Sequence, residues 1–291
     1  MDADGGNLIV FKKPLAVGRT AYDNFAELQR LLTASVYQDV KLEITWEGRL
    51  GRTFLFLIMC LLNLADEHKK TVTITVSNKI YSYLNDMQFL DSFKMRITPG
   101  ADLRFCKLDG QEDTLRMARN IVKDIPAELS PRLHIDMVYK LGEMFNNARE
   151  HSGTAIVVGC RYTKPKKFCI ACYDTGIGIV EKVREFHKNA NIYFSDEDAL
   201  KWAIAPNNST AVNNDNIPRG AGLGFLKAFA RLNSGVIRIC TGKILYTYKG
   251  EEDSEKYQEL ENCFMGTLFE MDINADDRRY SYKEEQSNDQ H

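Results

Sequence analysis

The chain has 291 residues, of which 44% are hydrophobic and 27% are charged, and its formal net charge is −2. This balance is typical of a globular protein and excludes a general affinity for nucleic acid, which needs a strongly basic surface. The length predicts about two domains, because one hydrophobic core usually organises roughly 100 to 200 residues.

The first segment, residues 1–110, alternates strand and helix patterns and predicts a small α/β domain. Strands are predicted at residues 8–11, 40–45 and 71–76, and helices at residues 20–32, 53–68 and 78–93. The polar segment 107–113 reads as a linker, so we place the domain boundary at about residue 110.

The second segment, residues 111–275, begins with a long amphipathic helix at residues 131–151. Strands follow at 154–162, 167–173, 236–240, 244–248 and 267–271, with helices at 197–205 and 223–232. Strands joined as hairpins predict a mixed, mainly antiparallel sheet. The remaining residues, 276–291, are charged and lack apolar periodicity, so a mobile tail is predicted.

The expected compartment is the cytoplasm. Seven cysteines are scattered without regular spacing and no charged-then-apolar leader begins the sequence, which favours a reducing environment. The longest apolar stretch, residues 54–64, is too short to cross a bilayer, so no membrane partner is expected.

Four short motifs in the second segment carry the chemistry. The first lies on the long helix, where Glu143 and Asn147 stand four residues apart and project from one face. The other three are rich in glycine and lie at the ends of strands or helices. In chain order the four are Glu143 to His151, Asp174-Thr-Gly176-Ile-Gly178, Gly220-Ala-Gly222-Leu223-Gly224 and Gly266-Thr267.

The residue types suit a nucleotide and a metal ion. An amide oxygen such as that of Asn147, together with triphosphate oxygens, is an adequate Mg²⁺ site, since Mg²⁺ prefers oxygen ligands and keeps waters. A carboxylate one turn earlier, Glu143, can accept a proton from an attacking water. The alternative is a solvated polar face of an amphipathic helix.

The glycine motifs suit close turns of the backbone and the binding of phosphate groups. Asp174 follows an apolar strand, and Gly176 and Gly178 let the backbone turn closely; a plain turn is the alternative. Bare N–H groups of the 220–224 loop and a positive helix end can face phosphate oxygens, and Arg219 could add charge. A dinucleotide-binding loop would follow a strand directly, whereas here a polar loop, residues 207–218, comes first. That loop suits a lid over a triphosphate, or else a disordered insertion.

The four motifs, in this order, resemble those of the GHKL (Bergerat-fold) ATPases, the superfamily of gyrase B, heat-shock chaperones, histidine kinases and MutL. The resemblance covers roughly residues 112–273 and implies ATP and Mg²⁺ as cofactors. It implies that Asn147 binds the metal ion and that Glu143 is the general base. It further implies that Asp174 accepts a hydrogen bond from the adenine amino group, that Ile179 packs on the ring, and that Thr267 reaches the adenine region through water.

Two weaker resemblances bear on the biological role. His151 aligns with a histidine of the anti-sigma-factor serine kinases, although a satisfied histidine at a helix end is the alternative. Residues 1–110 resemble the STAS (sulfate-transporter and anti-sigma-antagonist) type of domain, but the acceptor-serine motif of that type is absent. We therefore expect a slow regulatory ATPase whose lid closure alters how the first domain meets a protein partner or a second copy. A protein serine/threonine kinase and a non-catalytic ATP sensor are the alternatives.

Overall fold

The structure is a computed structural model. It describes residues 7–15, 18–46, 52–86, 103–108, 114–154, 156–163, 167–190, 192–206, 208, 221–276 and 278–282. For residues 52, 83–86, 103–108, 151, 161–163, 221 and 222 the backbone alone is described.

The N-terminal part builds a three-stranded parallel sheet in the order β1-β2-β3. Its elements are β1 (Leu8–Phe11), α1 (Gly18–Ala34), β2 (Asp39–Ile44), α2 (Arg52–Glu67), β3 (Thr71–Val76) and α3 (Asn78–Asp86). The predicted strands and the first two helices are confirmed within two residues. The predicted helix 78–93 is confirmed as far as residue 86, and its remainder lies outside the described residues.

Both crossover helices of this unit lie on one face of the sheet. Parallel strands added in one direction through right-handed connections place α1 and α2 on the same side. The inner face packs on them through Val40, Leu42 and Ile44, whereas Thr71 and Thr73 on the outer face are exposed. The resemblance of this unit to the STAS type of domain stays a prediction.

The second sheet has five strands in the order β4-β6-β7-β9-β8, and every neighbouring pair is antiparallel. The predicted fold class, α/β with an antiparallel sheet covered by helices, is confirmed. The strands are β4 (Leu103–Leu108), β6 (Ile156–Thr163), β7 (Lys167–Asp174), β8 (Val236–Lys249) and β9 (Ser254–Asn274). The helices are α4 (Thr114–Lys123), α5 (Pro131–Ser152), α6 (Gly178–His187), α7 (Asp196–Ile204) and α8 (Ala221–Leu232).

The two sheets share one hydrophobic core. The central part of helix α2 is apolar all round, and its residues from Phe54 to Leu61 are buried between the sheets, whereas Asp66 and Glu67 at its end are exposed. Helices α1 and α2 cover one face of the five-stranded sheet, including Ala171, Tyr173 and Leu268, while α5 and α8 cover the other. None of the described helices combines the length and apolar character that a bilayer-spanning helix needs.

The predicted division at residue 110 does not follow the packing. Strand β4 comes before that point, yet it pairs with β6 in the five-stranded sheet. Residues from both sides of the division also fill the core around α1 and α2. The chain therefore forms four stacked layers, sheet, helices, sheet and helices, and its two core clusters lie on the two faces of the five-stranded sheet rather than on either side of residue 110.

The beginning of the predicted mobile tail is part of the fold. A short strand, β10 (Arg279–Tyr280), pairs in parallel with β5 (Glu128–Leu129), and the Tyr280 side chain is 3% exposed. Residues 278–282 thus depart from the prediction, because the buried Tyr280 anchors them despite the charged neighbours. Residues 283–291 lie outside the described residues.

Candidate functional site

Helix α5 carries the first group of site residues. Its start is fixed by Ser130, whose hydroxyl accepts a hydrogen bond from the Leu133 N–H at 3.2 Å, with Pro131 in the first turn. The helix ends at Gly153 in the left-handed conformation, with φ of 66°. Between these ends, Glu143 and Asn147 lie one turn apart and line the same cavity.

Asp174 lies at the end of β7 and is buried. Its carboxylate accepts hydrogen bonds from the backbone N–H of Gly176, at 3.0 Å, and from that of Thr267. Burial outweighs these bonds and raises the pKa of Asp174 to about 7. An acceptor with a pKa near neutrality, directed at a cavity, is typical of a binding or catalytic site.

Two glycines let the loop after β7 pass close to its neighbours. A Cβ atom at Gly176 would lie 2.6 Å from the Ser152 Cα at the end of α5. Gly178 has φ of 81°, and a Cβ there would lie 2.6 Å from the Thr241 hydroxyl. The loop therefore joins the end of α5 to the β8–β9 pair only because both positions lack side chains.

Helix α6 starts directly at Gly178, where the sequence indicated only a turn. The Ile179 N–H in its first turn donates to the Thr241 hydroxyl at 3.1 Å and to the Thr267 hydroxyl at 3.3 Å. Two threonines from neighbouring strands thus satisfy an N–H group that a helix start leaves without an intrahelical acceptor. Thr267 was predicted as a site residue, whereas the part played by Thr241 was not foreseen.

The predicted residues converge on one cavity of about 240 Å³. Most of its wall is apolar, and polar groups are few, which is the usual character of a small-molecule site. The lining residues that the sequence predicted are Glu143, Asn147, Asp174, Gly178, Ile179, Leu223 and Thr267. Those not predicted include Met144, Ala148, Ser152, Cys172, Lys182, Val183, Trp202, Ala203, Ile204, Asn208, Leu226, Ile239 and Phe269.

Other predicted residues lie beside the cavity or outside the described part of the chain. Gly176 lies in the loop after β7 where that loop passes the end of α5, and Gly222 and Gly224 belong to the first turn of α8. His151 lies in the last turn of α5, where only its backbone is described. Arg219 and Gly220 lie outside the described residues, as does the predicted lid at 207–218 apart from Asn208, whose amide donates to the Trp202 carbonyl at 2.8 Å.

Lys182 and Trp202 are two cavity residues that sequence reasoning missed. Lys182 brings a positively charged side chain to a cavity that is also lined by the carboxyl groups of Glu143 and Asp174. Trp202 packs edge-on against His187, with ring centroids 4.8 Å apart. The spacing of Ile179 and Val183, one turn apart, was the available signal for a helix that faces the site.

Metal binding by protein groups alone finds no support. The described residues contain no group of three or more His, Cys, Asp or Glu side chains that could hold an ion. Asn147 is the oxygen donor on the cavity wall that suits Mg²⁺, and an ion there would need most of its ligands from phosphate and water.

Comparison with known proteins adds no argument about the fold or the site of this chain. Neither a family model nor a curated protein matches the chain. Among solved structures, the ATP-binding domain of topoisomerase IV from Francisella tularensis, in complex with a small-molecule inhibitor, matches with 12% identity and a TM-score of 0.29. The match covers 64% of this chain and 47% of that chain, and a likeness this distant carries no argument about the site.

Proposed function

We propose that the chain binds ATP together with Mg²⁺ in this cavity and acts as a nucleotide-dependent regulatory ATPase of the GHKL type. One observation carries the proposal: Glu143, Asn147, Asp174 and Thr267, distant along the sequence, line a single cavity. Their order resembles that of the GHKL motifs, and a common cavity is what shared nucleotide chemistry requires.

Asp174 is the group that would select the base. A buried carboxylate accepts a hydrogen bond from the adenine amino group, whereas a guanine carbonyl at the same place would leave it without a donor. Ile179 and Phe269 supply apolar wall for the ring. Specificity for adenine over guanine is therefore expected to depend on this one side chain.

The phosphates and metal ion would lie toward α5 and the start of α8. Asn147 would hold Mg²⁺ through its amide oxygen, with the remaining ligands from phosphate and water. When bound, Mg²⁺ neutralises charge on the phosphate oxygens. Glu143 would accept the proton of the water that attacks the terminal phosphorus, and Lys140, whose ammonium lies 3.0 Å from the carboxylate, holds that carboxylate in place.

ATP would close the predicted lid at 207–218. This closure would alter how the N-terminal part binds a protein partner or a second copy of the chain. Transfer of phosphate to a protein serine or threonine is the second candidate, favoured by the likeness of the α5 motif to that of the anti-sigma-factor kinases. Incubation with γ-labelled ATP separates the two, since stable label on protein supports the kinase and released phosphate supports the ATPase.

Calorimetric titration with ATP, ADP and GTP, with and without Mg²⁺, tests nucleotide binding itself. We expect ATP to bind, GTP to bind at least roughly tenfold more weakly, and Mg²⁺ to strengthen binding of ATP. Asp174→Asn and Asn147→Ala should both weaken the binding of ATP, but only Asn147→Ala should abolish the strengthening of that binding by Mg²⁺. Absence of any adenine nucleotide binding by the unaltered chain would refute the proposal.

A further inference from the structure

Strand β9 contains a bulge directly before the site. Its pairing with β8 skips from Thr267 to Phe264, and its pairing with β7 ends at Thr267, so Met265 and Gly266 have no partner in either ladder. Buried backbone N–H and C=O groups must nevertheless be hydrogen bonded. The polar groups of Met265 therefore need acceptors and donors from elsewhere.

Helix α1 supplies them through Gln29, which is fully buried. The Met265 N–H donates to the Gln29 side-chain oxygen at 3.0 Å, and the Gln29 amide donates to the Met265 carbonyl at 3.1 Å. One side chain thus pairs with both backbone groups of one residue, as a neighbouring strand would. Only one orientation of the amide satisfies both bonds.

Tyr173 closes the network from the adjacent strand. The second Gln29 N–H donates to the Tyr173 hydroxyl at 3.0 Å, and that hydroxyl donates to the Met265 carbonyl at 3.1 Å. Tyr173 immediately precedes Asp174 in β7 but points to the opposite face of the sheet, toward α1 and α2. The network therefore fixes β7 and β9 relative to each other beside Asp174 and Thr267, which line the cavity.

The bulge is continuous with the groups proposed to bind the base. Gly266 passes so close to β7 that a Cβ there would lie 1.9 Å from the Asp174 carbonyl oxygen. Thr267, the next residue, donates its N–H to the Asp174 carboxylate and accepts the Ile179 N–H with its hydroxyl. A shift of the bulge by a few tenths of an ångström would move all three groups.

We propose that Gln29 is a positioning residue of the site: by pairing with the backbone of the Met265 bulge, it lets the N-terminal helical layer set the affinity for the base of an adenine nucleotide. This inference rests on the proposed function. It also predicts coupling in the other direction, so that a bound nucleotide stabilises the contact between α1 and β9.

The test compares Gln29→Met with Tyr22→Phe in the full chain. Met keeps the length of Gln but cannot pair with Met265. Tyr22 lies two turns earlier on α1 and also reaches β9, through a buried hydrogen bond of 2.5 Å to Glu270, and neither residue lines the cavity. Affinities for ATP and adenosine are measured well below the melting temperature of each variant, together with amide hydrogen exchange at Met265.

Gln29→Met is expected to weaken the binding of ATP and of adenosine by the same factor, roughly tenfold or more, because the contacts that are lost are those to the base. Exchange at the Met265 amide should rise while exchange elsewhere in β9 is unchanged. Tyr22→Phe is expected to lower the melting temperature but to keep the affinity within about twofold. A role limited to stability would lower the melting temperature in both variants and leave both affinities unchanged.

Two results overturn the inference but leave the proposed function standing. One is unchanged nucleotide affinity in a folded Gln29→Met variant, and the other is an equal loss of affinity in Gln29→Met and Tyr22→Phe. Failure of the unaltered chain to bind ATP or adenosine overturns both. Should Gln29→Met not fold, Tyr173→Phe, which removes the hydroxyl that bonds to Met265, is measured in the same way. Unchanged affinity in that variant counts against the inference in the same manner.

Discussion

Asp174 lowers the stability of the folded chain in order to present an acceptor. Burial opposes its ionisation and raises its pKa to about 7, although the N–H groups of Gly176 and Thr267 favour the charged form. An unfolded aspartate ionises near pH 4, so the folded state holds this proton across the interval between the two values. Stability contributed by the protonated group is therefore full at acid pH and is lost as the pH rises toward 7.

We predict that Asp174→Asn stabilises the ligand-free protein at pH 8, since the neutral amide still accepts both N–H groups without the cost of a buried charge. The gain should be roughly 2 to 4 kcal/mol, or roughly 5 to 10 °C in melting temperature. It should shrink as the pH falls from 7 to 4. Thermal denaturation of both proteins across this range measures it, and a pH-independent difference would contradict the assignment.

Glu143 offers a second prediction at this scale. Glu143→Gln keeps the shape and the hydrogen-bonding length of the side chain but cannot accept a proton at neutral pH. On the proposed mechanism, ATP affinity should stay within about threefold while phosphate release falls at least roughly a hundredfold. Lys140→Met removes the ammonium that holds the carboxylate but leaves the carboxylate itself, so it should lower turnover by less than Glu143→Gln does. Equal turnover in Glu143→Gln and the unaltered chain would exclude Glu143 as the base.

At the scale of helices and strands, the sequence was informative where side-chain periodicity was strong. The β-branched run at β3 and the amphipathic pattern of α5 gave bounds within one residue of those found. Helix α6 was missed because its Asp-Thr-Gly-Ile-Gly approach has the composition of a turn, and only tertiary contacts of Ile179 with two threonines show where the helix begins. The bulge in β9 was equally hidden, since β9 begins at Ser254 whereas a strand was predicted only at residues 267–271, after the bulge.

The pairing of β10 with β5 was missed for a different reason. Charged residues surround Tyr280 in the sequence, but its hydroxyl donates to the Asp276 carboxylate at 2.8 Å and its ring lies 6.0 Å from that of Phe229. A single buried aromatic anchor has no periodicity for a sequence pattern to detect. Its contribution is visible only once α8 is seen beside it.

Tyr280→Ala should consequently destabilise the whole chain, by roughly 3 to 5 kcal/mol, as expected when a buried aromatic side chain is deleted. Tyr280→Phe keeps the ring and loses one hydrogen bond, so it should cost only about 1 kcal/mol. Urea unfolding monitored by far-UV circular dichroism gives both values. If Tyr280→Ala were as stable as the unaltered protein, the segment after residue 276 would not be anchored as described.

At the scale of the whole molecule, the layered arrangement explains why residues from both sides of the predicted boundary at 110 share one core cluster. The site motifs lie in one half of the chain, and it was their resemblance to a family pattern, not their order alone, that predicted a common cavity; the roles assigned to them stay predictions. Each side chain of β7 joins one of two core clusters, and the face of the sheet on which it lies decides which one. Strand β7 is buried on both faces, with Cys172 toward α5 and Tyr173 toward α1, and a continuous apolar run of this kind indicates cover on both sides without saying what provides it.

Because α1 and α2 cover one face of the five-stranded sheet, residues 101–291 should not fold alone. Removing the N-terminal layer would expose buried side chains such as Ala171, Tyr173, Phe264 and Leu268, and would leave the Met265 bulge without its pairing amide. We predict that this fragment aggregates or binds a hydrophobic dye, whereas the full chain unfolds in one transition with equal calorimetric and van't Hoff enthalpies. Differential scanning calorimetry of both proteins decides the matter, since two transitions in the full chain, or a soluble fragment that unfolds cooperatively, would show that the layers are independent.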